Sequence, residues 1–492
     1  MFINLLRFLI AIMCTSCCPL FAEQVVKITT DGFELNNICN PAPADCSKAI
    51  IKALDQYKER PLRIRVGEKS GQRYIFTQSV PLESEIRISG VNAPVFVQRS
   101  SELFSFPINA VVYDVAIDSF SVDQERNTSA NNVVNAKPGS RVNSFRIEDV
   151  KVDNSDAQVR SNVVFSFSGM QGRNLRISRV SVAHVSVFVE INKSRFKGIY
   201  IEENKARFIA RRVISLTCEC EEISIVGNSF KYNVPGIKPS NMVYTNIRAT
   251  HNRDSMTEPV RELKIINNEF AGLPGLAYSR GVLNGASADI LTIRNVHSFI
   301  VKGNKIQDSG EAGITISDGS LDGSVVENTI TRTDTVAIVL GAAGERHGGY
   351  AKVERIYVGR NVIDRFAIFQ EEIEQEGSSD DWGLRQMHAR SAIRVLNAKD
   401  ICIVENTIVN SEVSGRTFFG IWVMNRRYPE TQTNSGIYEG SNVFVGFNGT
   451  GAKVARAKDY NRTPEVIQSG NSVKHIVTAF EKRDPLVACE RM

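Results

Sequence analysis

One phrase of apolar and polar positions returns along the chain: an apolar strand, an Asn at a turn, a short apolar strand, and then a small residue that opens an alternating strand. It reads ISIVGNSF at 223–230, LKIINNEF at 263–270, FIVKGNKI at 299–306, VVENTI at 325–330, IYVGRNVI at 356–363 and ICIVENTI at 401–408. These segments are short, rich in β-branched residues and alternate with period two, which selects strands over helices. The turn residues are Asn228, Asn268, Asn304, Asn328, Asn361 and Asn406, at gaps of 40, 36, 24, 33 and 45 residues. A minimal unit of about 24 residues carrying unequal insertions is the mark of a solenoid, in which neighbouring coils share one core. Asn suits the corner because it tolerates the left-handed backbone region and bonds its own main chain, and stacked asparagines form side-chain ladders. Residues 142–152 and 175–189 read as the same unit with a less regular corner.

Upstream, Asp45 is placed to cap an amphipathic helix over 47–57, with Ala49, Ile50, Ala53 and Leu54 on one side, followed by short strands at 62–66, 74–76 and 86–90. A stack of coils needs such a lid, because its open end presents unpaired strand edges and apolar core. Asp45-Cys-Ser-Lys-Ala49-Ile50 and Gly71-Gln-Arg-Tyr74-Ile75, together with the repeat, resemble the segments that open the pectate-lyase-like superfamily of right-handed parallel β-helices. The resemblance covers about residues 45–446. It implies an all-β, single-stranded solenoid with an N-terminal helical cap. Because the superfamily holds lyases, hydrolases, epimerases and adhesins, it implies a fold and no single reaction. The expected organisation is a leader at 1–22, a cap and first coils at 23–90, a parallel β-helix at 91–450 and a C-terminal cap or tail at 451–492.

Alignment on the asparagines sends the long insertions to two corners, one on each side of the strand that follows the small residue. That strand reads ILTIR at 290–294, GITIS at 313–317, AIVL at 337–340, AIRVL at 392–396 and GIWVM at 420–424. Residues 271–289, 366–390 and 410–417 precede it, and 341–352, 425–436 and 248–260 follow it. Loops on both sides of one sheet make a groove along the stack. Four coil steps of about 4.8 Å give roughly 19 Å, the length of a tetrasaccharide.

Alternation points Leu291, Ile293, Ile314, Ile316, Ile338, Leu340, Ile393, Val395, Ile421 and Val423 inward. It leaves Thr292, Arg294, Thr315, Ser317, Val339, Arg394, Trp422 and Met424 outward. A tryptophan and two arginines on one outer face suggest a floor for a ligand, with Trp422 stacking on a sugar and Arg394 forming a bidentate pair with a uronate carboxylate. The alternative is structural: Trp422 covered by 425–436 and Arg394 paired with a loop acid such as Asp381. Arg294 on the floor, and Arg280, Arg346 and Arg390 in the loops, are the further substrate-binding candidates.

Elimination from, or epimerisation of, a uronate requires a cation to neutralise the carboxylate and a base near its working pH. Arg394 or Arg346 suits the first role, and His347, His388 or Tyr278 the second. Hydrolysis instead needs two carboxyl groups about 5 to 9.5 Å apart, with Asp318, Asp322, Asp334, Asp380 and Asp381 as candidates. Thr333-Asp334-Thr335-Val336-Ala337-Ile338 and Arg346-His347-Gly348 are faintly similar to polygalacturonase motifs, yet the first Asp is replaced by Thr333 and two further motifs are missing. The motifs of calcium-dependent pectate lyases and of alginate epimerases are also missing, so no catalytic residue is carried over. An enzyme acting on an acidic polysaccharide and a non-catalytic glycan-binding β-helix both fit.

Residues 1–22 add the compartment. A lone Arg7, an apolar run at 8–13 and a Leu20-Phe21-Ala22 ending form an export leader, and no later stretch approaches the roughly 20 apolar residues of a transmembrane helix. Cys14, Cys17 and Cys18 lack the usual lipoprotein pattern. Cys39 and Cys46 are spaced to close a short loop in an oxidising compartment, whereas Cys218 and Cys220 read as buried thiols without zinc spacing. Without Arg7 the net charge falls from +5 to +4, too mild to suggest nucleic acid. No cofactor is expected; calcium at Asp318, Asp322 and Asp334 has ordinary turn chemistry behind it.

Overall fold

The computed structural model describes Val25 to Val445 apart from residues 30–31, 37, 40–43, 58–60, 125–131, 155–162, 232–241, 246–257, 273–288, 311, 334, 342–351, 367–390, 410–417 and 425–434, together with the strands Ala452–Lys458 and Val473–Lys474. The 38 strands among the described residues join in one ladder in which, apart from the two ends and the two long strands in the middle, each pairs in parallel with the strand three places later. Three strands per coil therefore build three sheets, and the chain is a parallel β-helix with one helical cap. Sheet A contains Leu62–Val66, Val111–Asp118, Arg141–Glu148, Gln171–Ser178, Val260–Ile266, Val296–Lys302, Leu321–Val326, Val353–Gly359 and Ala398–Val404. Sheet B follows the asparagine corner with short strands such as Glu269–Ala271, Thr329–Thr333 and Thr407–Val409. Sheet C contains Glu102–Phe106, Asn132–Ala136, Leu291–Arg294, Ile314–Ser317, Ile338–Leu340, Ser391–Leu396 and Phe418–Met424. In Ser181–Glu202 and Lys205–Val226 the chain rounds a coil without leaving strand geometry.

Inward positions of all three sheets merge into one apolar core, in which Leu291, Ile293, Ile314, Ile316, Ile338, Leu340, Ile393, Val395 and Ile421 are fully buried and Val423 packs at the edge. The period-two pattern alone therefore separated core from outer face. Helix Cys46–Gln56 lays Ile50, Ala53 and Leu54 over the first coils, and Asp45 Oδ1 accepts from Ser47 N at 3.1 Å. The same carboxylate accepts from the Thr77 hydroxyl, tying cap to coil. An antiparallel hairpin, Val25–Thr29 with Gly32–Asn36, pairs in turn with Leu62–Val66 and occupies the otherwise open edge of sheet A.

The corner between sheets A and B carries the asparagine ladder, longer than the sequence phrase indicated. Asn204, Asn228, Asn268, Asn304, Asn328, Asn361, Asn406 and Asn442 are all buried. In each step Nδ2 donates to the Oδ1 of the next coil at 2.8–3.0 Å, and the backbone N donates to the same oxygen. The second Nδ2 proton goes to a carbonyl of the preceding coil, Ile265 for Asn304 and Val325 for Asn361. Each interior amide thus satisfies its own groups and a backbone N–H that burial would otherwise orphan. The left-handed residue is the one before the ladder asparagine: Glu203, Gly227, Asn267, Gly303, Glu327, Arg360, Glu405 and Ser441 all have φ between 53° and 65°. The asparagine is selected by its ladder bonds, and its predecessor makes the bend. Farther upstream Phe120, Val150 and Val180 stand at this corner, which explains the irregular phrase there; Val180 N donates to Asn204 Oδ1 where the ladder begins.

Cys39 and Cys46 form a disulfide, as their spacing suggested. Cys218 and Cys220, expected as thiols, are also joined: on one strand face their Cα atoms are 5.4 Å apart, within bonding reach. Cys402 is in a disulfide whose partner lies outside the described residues.

Candidate functional site on the outer face of sheet C

Between residues 61 and 445, every connection of seven or more residues between consecutive strands begins or ends at a strand of sheet C. The A–B corner carries none. The uneven gaps of the repeat therefore mark one sheet, and the segment 232–241, which the phrase alignment overlooked, obeys the same rule.

The middle outward position of this sheet runs in register through Thr292, Thr315, Val339, Arg394 and Trp422. Sequence placed this row outward, and it is outward, but it is not open. Thr292 is 0% exposed, Val339 4% and Trp422 2%, while Arg394 is half-buried. An argument from an exposed apolar group thus does not apply to Trp422. Instead, the row is a buried seam outside the core, where Val339 packs with Ala312 and Val336 in a separate small cluster.

At the head of the seam lies Asp289, a residue missing from the candidates read in the sequence. It is 4% exposed, accepts from Ala312 N of the next coil at 3.1 Å on Oδ1 and from Thr292 Oγ1 at 3.2 Å on Oδ2, and interacts with the Thr315 hydroxyl and Arg294. Burial raises its pKa, against the opposing pull of those donors and of the arginine. Next to it, Arg294 Nε lies 3.6 Å from Asp318 Oδ2, with both side chains largely withdrawn from solvent. Two carboxyl groups, a guanidinium and two threonine hydroxyls therefore sit on the outer side of two consecutive coils, away from the aliphatic core. Asp289 escaped notice because it was counted with the insertion 271–289 rather than with the strand it introduces.

Other candidates are dispersed. Asp322, at the start of a sheet A strand, is held by Arg355 through Nε at 2.5 Å and Nη2 at 2.9 Å, and that bond lowers its pKa. Asp318 and Asp322 are thus drawn into separate ion pairs, and no metal-binding group of acids, histidines and cysteines occurs among the described residues. His347, His388, Tyr278, Asp381, Arg280, Arg346 and Arg390, with Asp334 and Asp380, lie outside the described residues. Among the described residues no helix is long and apolar enough to cross a membrane.

The backbone course is shared with solved structures. The A-module of an Azotobacter vinelandii mannuronan C-5 epimerase matches with a TM-score of 0.48 and 14% identity, over 80% of this chain and 95% of that one. A surface adhesin of Streptococcus pneumoniae matches at 0.46 and 13%, over 90% and 97%. The catalytic unit of a Streptomyces thermodiastaticus α-1,3-glucanase matches at 0.42 and 10%, over 86% and 68%. By the parallel register of its own coils the chain is a right-handed parallel β-helix. No family profile and no curated protein matches the sequence. At these identities and scores the likeness concerns the path of the backbone, and the chemistry of those proteins is not carried over.

Proposed function

We propose that the protein is exported and acts on an acidic, uronate-containing polysaccharide laid along the outer face of sheet C, by elimination or epimerisation. The observation that supports this reading most is the seam itself. Asp289, Thr292, Thr315, Arg294 and Asp318 are desolvated on an outer face with Arg394 in the same row, and burying such groups costs free energy that packing alone gives no reason to spend. Arg394 neutralises the substrate carboxylate, which makes the neighbouring carbon acid easier to deprotonate. His347, His388 or Tyr278 removes that proton, with Arg346, Arg390, Arg294 and Arg280 holding the flanking sugars and Asp381 orienting a base. Asp289, which retains its proton to higher pH than an ordinary carboxyl, acts as a positioning group through Thr292 and Thr315.

The second reading is a non-catalytic β-helix that binds a glycan through the same face, and glycoside hydrolysis by paired carboxyls is the further alternative. Incubation of the purified protein with pectic, alginate and glycosaminoglycan polymers separates the outcomes. Elimination yields ultraviolet absorbance of an unsaturated uronate, hydrolysis yields new reducing ends without that absorbance, and epimerisation changes only the sugar stereochemistry. If all three signals stay flat while a glycan is still bound, the protein is a binding β-helix and the enzymatic reading is wrong.

A further inference from the structure

A second concave surface lies elsewhere, on the first halves of the sheet A strands in the N-terminal coils. It encloses about 610 Å3 and crosses the coils that begin at Val111, Arg141, Gln171 and Arg195, within the 300–1,000 Å3 typical of small-ligand sites. Two outward columns form it in register: Val111, Arg141, Gln171, Arg195, Glu219 and, two residues on, Tyr113, Asn143, Arg173, Lys197, Glu221. The columns are not chemically uniform. At one end Val111 and Tyr113 are 68% and 46% exposed, large apolar side chains open to solvent. In the middle Arg141 and Arg173 are exposed and make no ion pair among the described residues, with Asn143 and Gln171 between them. At the far end the positive charge is already used: Arg195 pairs with Glu219, and Lys197 Nζ lies 2.9 Å from Glu222 Oε1 and 3.7 Å from Glu221 Oε2.

We propose that this groove is a second glycan site that binds a short acidic oligosaccharide segment, with Tyr113 against a sugar face and Arg141 and Arg173 on its carboxylates. An exposed tyrosine ring offers a flat apolar surface that needs no charge on the ligand. Two guanidiniums that make no ion pair among the described residues supply bidentate carboxylate recognition, and the two amides serve the sugar hydroxyls. The acidic end, closed by its own ion pairs, sets the length. An anionic ligand occupies the coils of Val111, Arg141 and Gln171, two steps of about 4.8 Å, the reach of roughly two sugar units. The site shares no residue with sheet C and does not depend on catalysis there.

The test titrates the full chain with hexamers of galacturonate and of mannuronate, and with uncharged cellohexaose as control, and reads affinity and the number of sites per chain. We expect at least one acidic hexamer to bind at this groove, Arg141→Ala/Arg173→Ala to weaken that binding at least tenfold, and Tyr113→Ala to weaken it severalfold. All three residues are exposed, so the thermal midpoint should stay unchanged and serves as the folding control. Should hexamers also occupy sheet C, the double variant retains that class of sites and loses the other. The proposal is overturned if neither acidic hexamer binds, if cellohexaose binds as tightly, or if the double variant keeps wild-type affinity and site number. It is equally overturned if light scattering shows the groove to be buried between two copies of the chain. Product formation from polymers is read separately, so failure here and failure of the enzymatic reading are distinguishable.

Discussion

The A–B corner and the outer face of sheet C both bury polar side chains along the stack, and they do so for opposite reasons. At the corner one residue type repeats, every step uses the same bonds, and the asparagine amides are carried uncharged from coil to coil. On sheet C the residue type changes along the row: a threonine pair gives way to a valine, an arginine and a tryptophan, with Asp289 at the head carrying a raised pKa. Uniform, saturated burial builds a fold, because each bond is the one that the next coil also needs. Heterogeneous burial with charge adds little to a stack and is retained where chemistry needs it.

The largest effect expected from breaking this contrast is at the ladder. Asn304→Leu orphans the backbone N–H and one Nδ2 proton of Asn268 and the Ile265 carbonyl, while the retained backbone N–H of residue 304 still serves Asn328 Oδ1. At about 1–3 kcal/mol per buried orphan, chemical unfolding should report a loss of about 3–9 kcal/mol, with glycan binding per folded molecule unaltered. Next, Trp422→Ala should cost about 3–5 kcal/mol, the range for a buried aromatic truncation, since only 2% of Trp422 is exposed. A variant as stable as the parent would return Trp422 to an open binding role.

A smaller effect concerns pH. Because the native pKa of Asp289 is raised, the folded chain keeps a proton that the unfolded chain releases near the ordinary value of 3.8. Stability therefore declines as pH rises from that value to the native pKa, and is level above it. Asp289→Asn removes this slope, so denaturant midpoints measured in pH steps should converge or cross between parent and variant. Parallel curves would show that the carboxyl titrates as in the unfolded chain.

The contrast also explains what the sequence made legible. A repeating bond leaves a repeating letter, so six of the ladder asparagines, the coil register and the inward residues could all be read by eye. Asn204 and Asn442 were missed because the apolar phrases around them, IYIEENKA and IYEGSNVF, are diluted by acidic and small residues. Asp289 was not legible because a functional seam has no period; only its distance from the next strand, two residues before Leu291, marked it. The Cys218–Cys220 bond escaped for a different reason, since same-face spacing on a strand is equally compatible with thiols. Arg394 and Trp422 were placed correctly on the outer face, while their burial depends on what covers the sheet, which alternation cannot show.

The central claim, that the outer face of sheet C is where the polymer is handled, is tested most directly at Arg394. Its affinity for an acidic oligosaccharide should be measured alongside its unfolding midpoint in the parent, Arg394→Lys and Arg394→Ala. The account predicts that Arg394→Lys, which keeps the charge but loses the planar fork, weakens binding and turnover about tenfold, and that Arg394→Ala weakens them further, each by more than its change in midpoint explains. Unchanged binding and turnover in both variants, or losses that follow the midpoint alone, would contradict it.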